Sequence, residues 1–185
     1  WGAGMRLDSL NWFPKQMTLG AISNDSLIYE MGAEIARQMK RLGVQINFAP
    51  VADVNNNPLN PVINARSFGE DRKRVAKKAA WYMKGMQDNG LIAVAKHFPG
   101  HGDTGTDSHF TLPVINKSRA QLDSTELFPF SYLIENGVKG IMVSHLTVPA
   151  LDTAAKSVAT LSEPVILDLL RKEMFGYLCR KICLM

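Results

Sequence analysis

Leu91-Ile92-Ala93-Val94-Ala95-Lys96-His97-Phe98-Pro99-Gly100-His101-Gly102-Asp103-Thr104-Gly105-Thr106-Asp107-Ser108-His109 joins a short apolar run to a loop rich in glycine and histidine. Leu91 to His97 has the length and the near-unbroken apolar character of a strand covered on both faces, as parallel sheets require. Pro99 to His109 reads as an elaborated loop, and Lys96 to His109 holds three of the chain's four histidines. In a β/α barrel the carboxyl ends of the strands form the catalytic face, and glycines let such a loop fold back over it.

The same alternation extends in both directions. Ser23, Asn24 and Asp25 offer helix caps, Ile28, Met31, Ile35, Met39 and Leu42 fall on one helical face, and Gly43 supplies the stop. A strand is expected at Val44 to Phe48, ending at Ala49-Pro50. The polar loop Asp53 to Asp71, with Asn55-Asn56-Asn57 and two prolines, is longer than a plain connection needs. Val75, Ala79, Tyr82 or Met83, and Met86 then mark an amphipathic helix that ends near Asn89-Gly90. Beyond the central strand, Ser118 with Gln121 makes a capping box that opens a helical region to Asn136-Gly137, with Pro129 expected to divide it. Lys139 to Ser144 gives a third strand. Ser162 and Pro164 suit the start of a last helix, Val165 to Met174, closed by Gly176. Strand and helix pairs in this order predict an α/β fold, a partial (β/α)8 TIM-type barrel of roughly half to two-thirds of the full ring.

Composition excludes several classes. With 46% hydrophobic and 21% charged residues over 185 positions, the chain can bury a core and is not disordered. No apolar run nears the roughly 20 residues of a membrane span. Trp1 to Asp8 shows no secretory leader, and because Trp1 is not a natural start the compartment stays unassigned. A net charge of +4 raises the question of a polyanion. However, Arg72, Lys73, Arg74, Lys77 and Lys78 share a segment with the apolar stripe, so most of them read as a wet helix face and no nucleic-acid partner is expected. Cys179 and Cys183 would close too small a loop to act as a structural disulfide. There is no internal repeat and no low-complexity linker.

The histidine loop admits more than one chemistry. Asp107 and His109, one residue apart, can set a carboxylate beside an imidazole and make the ring a proton donor near neutral pH. His97, His101, Asp103, Asp107 and His109 are also all metal-ligand types, so a metal-dependent hydrolase is a rival. Against it, the stretch lacks a helical His-x-x-x-His or a pair of thiolates. Plainer roles exist elsewhere: Arg66 pairing with Glu70 or Asp71, Lys96 in an ion pair at a strand end, Asp53 capping a turn. Ser144-His145 ends the third strand and is given no role beyond pocket lining.

Lys96 to His109 closely resembles the signature of bacterial family 3 glycoside hydrolases that act on N-acetyl-β-D-glucosaminides. Gly4-Met5-Arg6-Leu7, Phe13-Pro14, Leu19-Gly20-Ala21, Asn47 to Val54 and Arg66-Ser67-Phe68-Gly69 resemble the family in its own order. The likeness runs from Trp1 to about Met174, so that residues 1–174 are expected to be the family's N-terminal domain and 175–185 a divergent tail. The resemblance implies retaining hydrolysis of terminal β-linked N-acetylglucosamine, with cell-wall fragments as the natural substrates. His109 would be the acid/base and Asp107 its partner. Asp53, Arg66, Lys96 and His97 match the positions that bind hydroxyls of the first sugar. A carbohydrate is the expected partner, and neither a metal nor an organic cofactor is expected.

One departure stands out. The resemblance implies a short strand ending in a nucleophilic aspartate after Glu173, but no acidic residue follows Glu173. A missing C-terminal half or further domain is therefore the other implied partner. The 185-residue chain alone is expected to be inactive, which leaves a non-catalytic sugar-binding remnant as an alternative.

Overall fold

In a computed structural model, residues 2–8, 10–105, 112–154 and 157–176 are described, together with the backbone of 182–184. Four parallel strands, β1 (Ile46–Asn47), β2 (Ile92–Phe98), β3 (Gly140–Val143) and β4 (Ile182–Leu184), lie side by side in sequence order. Helices α1 (Gln16–Gly20), α2 (Ser26–Arg41), α3 (Arg72–Asp88), α4 (Arg119–Ser124) and α5 (Leu127–Glu135), and a last helix Pro164–Met174, alternate with them. Strand order that never reverses is the order of a barrel wall, whereas an open doubly wound sheet turns back at a switch point. The fold is a partial TIM-barrel-like α/β structure.

The elements follow from their residues. Ile28, Met31 and Ile35 of α2 are buried as the periodicity requires, while Leu42 beyond its end is half exposed. α2 and α3 pack unusually closely: a Cβ on Gly85 would stand 2.1 Å from the Tyr29 carbonyl oxygen, and one on Gly32 2.6 Å from that of Tyr82. Asp71 caps α3 by accepting from the Arg74 N–H at 2.7 Å. The capping box of Ser118 and Gln121 forms. The break in the helical region falls at Thr125, ahead of Pro129, which sits in the first turn of α5 where its missing N–H costs nothing.

Three features depart from the pattern read in the sequence. Lys78 leaves the wet face of α3: it is buried and donates to Asp25 at 2.8 Å and to the Ile22 carbonyl at 2.6 Å. The last helix is wound more widely than α, with the Phe175 N–H reaching the Leu170 carbonyl five residues back at 3.1 Å. A strand does form after it, for β4 pairs in parallel with β3, although no acidic residue follows Glu173. Among the described residues no helix is long and apolar enough to cross a membrane.

Candidate functional site

The site is built where the chain leaves β1 and β2. Past β1 the backbone stays beside β2: the Lys96 N–H donates to the Pro50 carbonyl at 3.1 Å, and the Ala52 N–H to the Lys96 carbonyl at 2.7 Å. Gln16 of α1, itself buried, clamps Val51 from the other side, donating to its carbonyl at 3.0 Å and accepting from its N–H at 3.2 Å. This pins Asp53 next to His97. The Lys96-His97 and Phe98-Pro99 peptide bonds at this corner are cis.

Asp53 is completely buried and fully engaged. Its Oδ2 lies 2.6 Å from the His97 Nδ1, and its Oδ1 accepts the His97 backbone N–H at 3.2 Å and the His101 backbone N–H at 2.7 Å. On the far side of the ring, His97 Nε2 is 3.1 Å from Arg66 Nη2. A guanidinium only donates, so Nε2 accepts and the ring proton sits on Nδ1, directed at Asp53. The imidazole is therefore neutral in this arrangement. Burial holds its pKa below the ordinary value, helped by Arg66 and Lys96 against the opposing pull of Asp53. Burial alone would raise Asp53, but the His97 ring and the N–H donors outweigh it and keep the carboxylate ionised below its usual range.

Among the described residues Arg66 pairs with neither Glu70 nor Asp71, whereas Asp53 does hold backbone N–H groups at the end of β2 and in the loop after it. Arg66 also donates to the Val62 carbonyl at 3.2 Å, while Asp71 is occupied in capping α3. Among the described residues the Lys96 ammonium has no hydrogen-bond or ion-pair partner. Burial chiefly, then Arg66, lowers its pKa to about 8, with Asp53 opposing. Lys96 and Arg66 face a cavity of ≈ 340 Å³ that Gln16, Phe48, Met5 and Arg6 also line. With Arg6, three cations line this small cavity, and their N–H donors suit a ligand rich in oxygen acceptors.

Asp107 and His109 lie outside the described residues. The root of their loop, residues 99–105, is held at several points. A Cβ on Gly102 would stand 1.7 Å from the Val54 carbonyl oxygen, so only glycine allows that approach. Asn60 donates to the His101 carbonyl at 2.8 Å, and Asn57 to the Asp103 carbonyl at 3.3 Å. Lys117 bridges Asp103, at 3.2 Å, to buried Glu126, at 2.5 Å, and Asn56 donates to the same carboxylate at 3.0 Å. Gln16, Lys117 and Glu126 escaped the sequence reading, since none belongs to a motif and each acts across at least nine positions of chain. The asparagine loop was the one visible signal. His145 is turned to Thr160, with its Nδ1 2.8 Å from the hydroxyl.

Of the candidate metal ligands, Asp107 and His109 lie outside the described residues. The His97 ring nitrogens are taken by Asp53 and Arg66, and the His101 Nδ1 is 2.6 Å from the Thr104 hydroxyl. Among the described residues no three His, Cys, Asp or Glu side chains come together as a metal site.

A partial β/α barrel with a polar, partly cationic pocket beside its strand ends carries a candidate ligand site where barrels of this class place theirs. Residues 1–177 match the glycosyl hydrolase family 3 N terminal domain, and the chain belongs to that family. It is 38% identical over 178 residues to beta-hexosaminidase A of Pseudoalteromonas piscicida, covering 89% of this chain and 30% of that protein. It also superposes on a family 3 beta-N-acetylglucosaminidase from Paenibacillus sp. with a TM-score of 0.88 and 44% identity, over 91% of this chain and 32% of the other. A Zn-bound structure of CbsA from Thermotoga neapolitana matches with a TM-score of 0.83 and 33% identity, over 91% of this chain and 36% of the other. The chain thus spans about a third of the length of each of these three relatives.

Proposed function

We propose that the pocket is the subsite for a terminal N-acetylglucosamine, and that the chain supplies the sugar-binding and proton-transfer half of a retaining β-N-acetylglucosaminidase. The observation that carries this reading is that Arg66 and Lys96 line one cavity, with Arg66 held by His97 and His97 by Asp53, and with no partner for the Lys96 ammonium among the described residues. Asp53 holds His97, His97 presents a lone pair to Arg66, and Arg66 and Lys96 keep donors for sugar hydroxyls. Each such charged hydrogen bond is worth roughly 1.5–3 kcal/mol and fixes the ring in register. His109, oriented by Asp107, then protonates the leaving oxygen and later deprotonates water, as a retaining mechanism demands of one group acting twice. Residues 1–174 form the working unit in this reading, with 175–185 as a tail. Cell-wall fragments ending in N-acetylglucosamine are the natural substrates.

Calorimetric titration with N-acetylglucosamine tests the pocket: saturable binding that Arg66→Ala weakens is expected, and an unchanged isotherm for that variant sinks the reading. Hydrolysis is a separate matter. Retention needs a carboxylate nucleophile, and none follows Glu173, so the 185-residue chain should release no nitrophenol from a nitrophenyl N-acetyl-β-glucosaminide above background. Steady turnover by the purified chain would refute this assignment.

A further inference from the structure

Glu126 is a buried carboxylate that lies outside the sugar pocket. It stands at the head of α5, where a side chain ordinarily caps the helix, yet its carboxylate makes no cap hydrogen bond there. It turns inward instead, 1% exposed, and accepts from Lys117 at 2.5 Å and from Asn56 at 3.0 Å. Lys117 continues to Asp103 at 3.2 Å. Against the carbon stem of Glu126 lies the backbone of Gly100, where a Cβ would stand 2.7 Å from the Glu126 Cβ. Glu126 and Lys117 thus brace the turn 100–103 after β2 at both of its ends. Within that turn, His101 directs its backbone N–H at the buried Asp53 carboxylate, at 2.7 Å.

We propose that Glu126, working with Lys117, is a positioning residue for the sugar pocket: it holds the 100–103 turn so that the His101 N–H fixes Asp53, and through Asp53 the His97 ring and the Arg66 guanidinium. The inference rests on the sugar-pocket reading given above. None of Glu126, Lys117 and Asp103 lines that cavity, so the action passes through the main chain. Stability is a poor reason for a charge at this place, because the cost of taking a carboxylate and an ammonium out of water largely offsets their attraction. Fixed geometry is the better reason. Hydrogen-bonded charges that join three chain segments admit one arrangement, whereas apolar groups can slide past each other. Asp53 depends on that arrangement: its Oδ1 has two backbone donors, His97 and His101, and without the second its Oδ2 is less firmly aimed at the His97 Nδ1.

Calorimetric titration of the 185-residue chain with N-acetylglucosamine, paired with NMR of the His97 ring nitrogens, tests this. In the wild type the ring should show a proton fixed on Nδ1 and a bare Nε2. Glu126→Ala is expected to weaken sugar binding about tenfold, as a misplaced charged donor would, and to blur that ring pattern while unfolding stays cooperative. Glu126→Gln, whose amide oxygen still accepts from Lys117 and Asn56, should lose clearly less. If Glu126→Ala does not fold, Lys117→Met, at a side chain 18% exposed, is read in its place with the same two changes expected. Affinity within twofold of wild type, a change in affinity without one in the ring or the reverse, or a Glu126→Gln that loses as much as the variant it is compared with, overturns the inference and leaves the pocket intact. Failure of the wild-type chain to bind the sugar overturns the sugar-pocket reading and this inference with it.

Discussion

Arg66 and Lys96 do similar work from different positions, and their variants should differ accordingly. Arg66 is tied to His97 and to the Val62 carbonyl, so Arg66→Ala removes a ligand donor and also frees the ring that Asp53 holds. Lys96→Met removes only the ammonium. Both are expected to weaken N-acetylglucosamine binding by roughly 10- to 100-fold, the range set by losing one charged hydrogen bond, with Arg66→Ala the larger loss in calorimetry. The pH dependence separates them further. With its pKa lowered to about 8, Lys96 sheds its proton on the alkaline side of neutrality, and sugar binding should weaken as pH rises through about 8. Lys96→Met should lack that limb. His97, held below its ordinary 6.5, stays neutral above that value, so an acid limb belongs below it, where a proton on Nε2 would face Arg66. For stability the Lys96 sign runs the other way. The unfolded chain holds the lysine proton up to the ordinary 10.5, more strongly than the folded one does, so this group adds stability as pH climbs from about 8 toward 10.5. A binding profile flat to pH 10 would remove Lys96 from the site.

Among the elements, the α2 and α3 contact is the most exacting. The main-chain oxygen of Tyr29 occupies the place where a Gly85 side chain would go, and backbone cannot step aside as a flexible side chain can. Gly85→Ala gains helix propensity yet should destabilise the fold by about 1–3 kcal/mol, seen as a lower midpoint in chemical denaturation. Close by, the Asp25 carboxylate meets the ammonium groups of both Lys77 and Lys78. Burial raises the pKa of Asp25 in isolation, but the two lysines outweigh that and hold it below the usual range. Asp25→Asn strands the buried Lys78 cation without its counter-charge, so a loss of roughly 3–5 kcal/mol is expected. Lys77→Ala should cost far less, because that side chain is 64% exposed and the pair is screened. Equal effects of the two substitutions would mean that the buried ion pair is not what joins these helices.

For the molecule as a whole, four strands do not close a ring. The partial barrel leaves Phe48 half exposed and Val44 37% exposed at its β1 side, and β1 is a sheet edge with unpaired backbone groups. Apolar surface at an open edge invites pairing with another chain. The purified 185-residue chain should therefore self-associate, read as a concentration-dependent apparent mass by light scattering coupled to gel filtration. A single monomeric species with sharp, cooperative unfolding would count against this.

Periodicity alone carried the element pattern. The stripe of Ile28, Met31 and Ile35, the capping box of Ser118 and Gln121, and the apolar run of Leu91 to His97 are local signals, because helix and strand periods are written within a few residues of chain. The parallel, ring-like order could be anticipated from their alternation, and Asp53, Arg66, Lys96 and His97 were marked out by the resemblance of their motifs to family 3 glycoside hydrolases. What no local pattern carries is who meets whom across 30 to 70 positions. Tertiary packing alone placed Asp53 against His97 and His97 against Arg66, and so set the tautomer of the ring. It likewise buried Lys78 on Asp25 and brought Gln16 to Val51 and Glu126 to Asn56. Charge state and burial depend on neighbours brought in by folding, and the sequence lists those neighbours without saying which will touch.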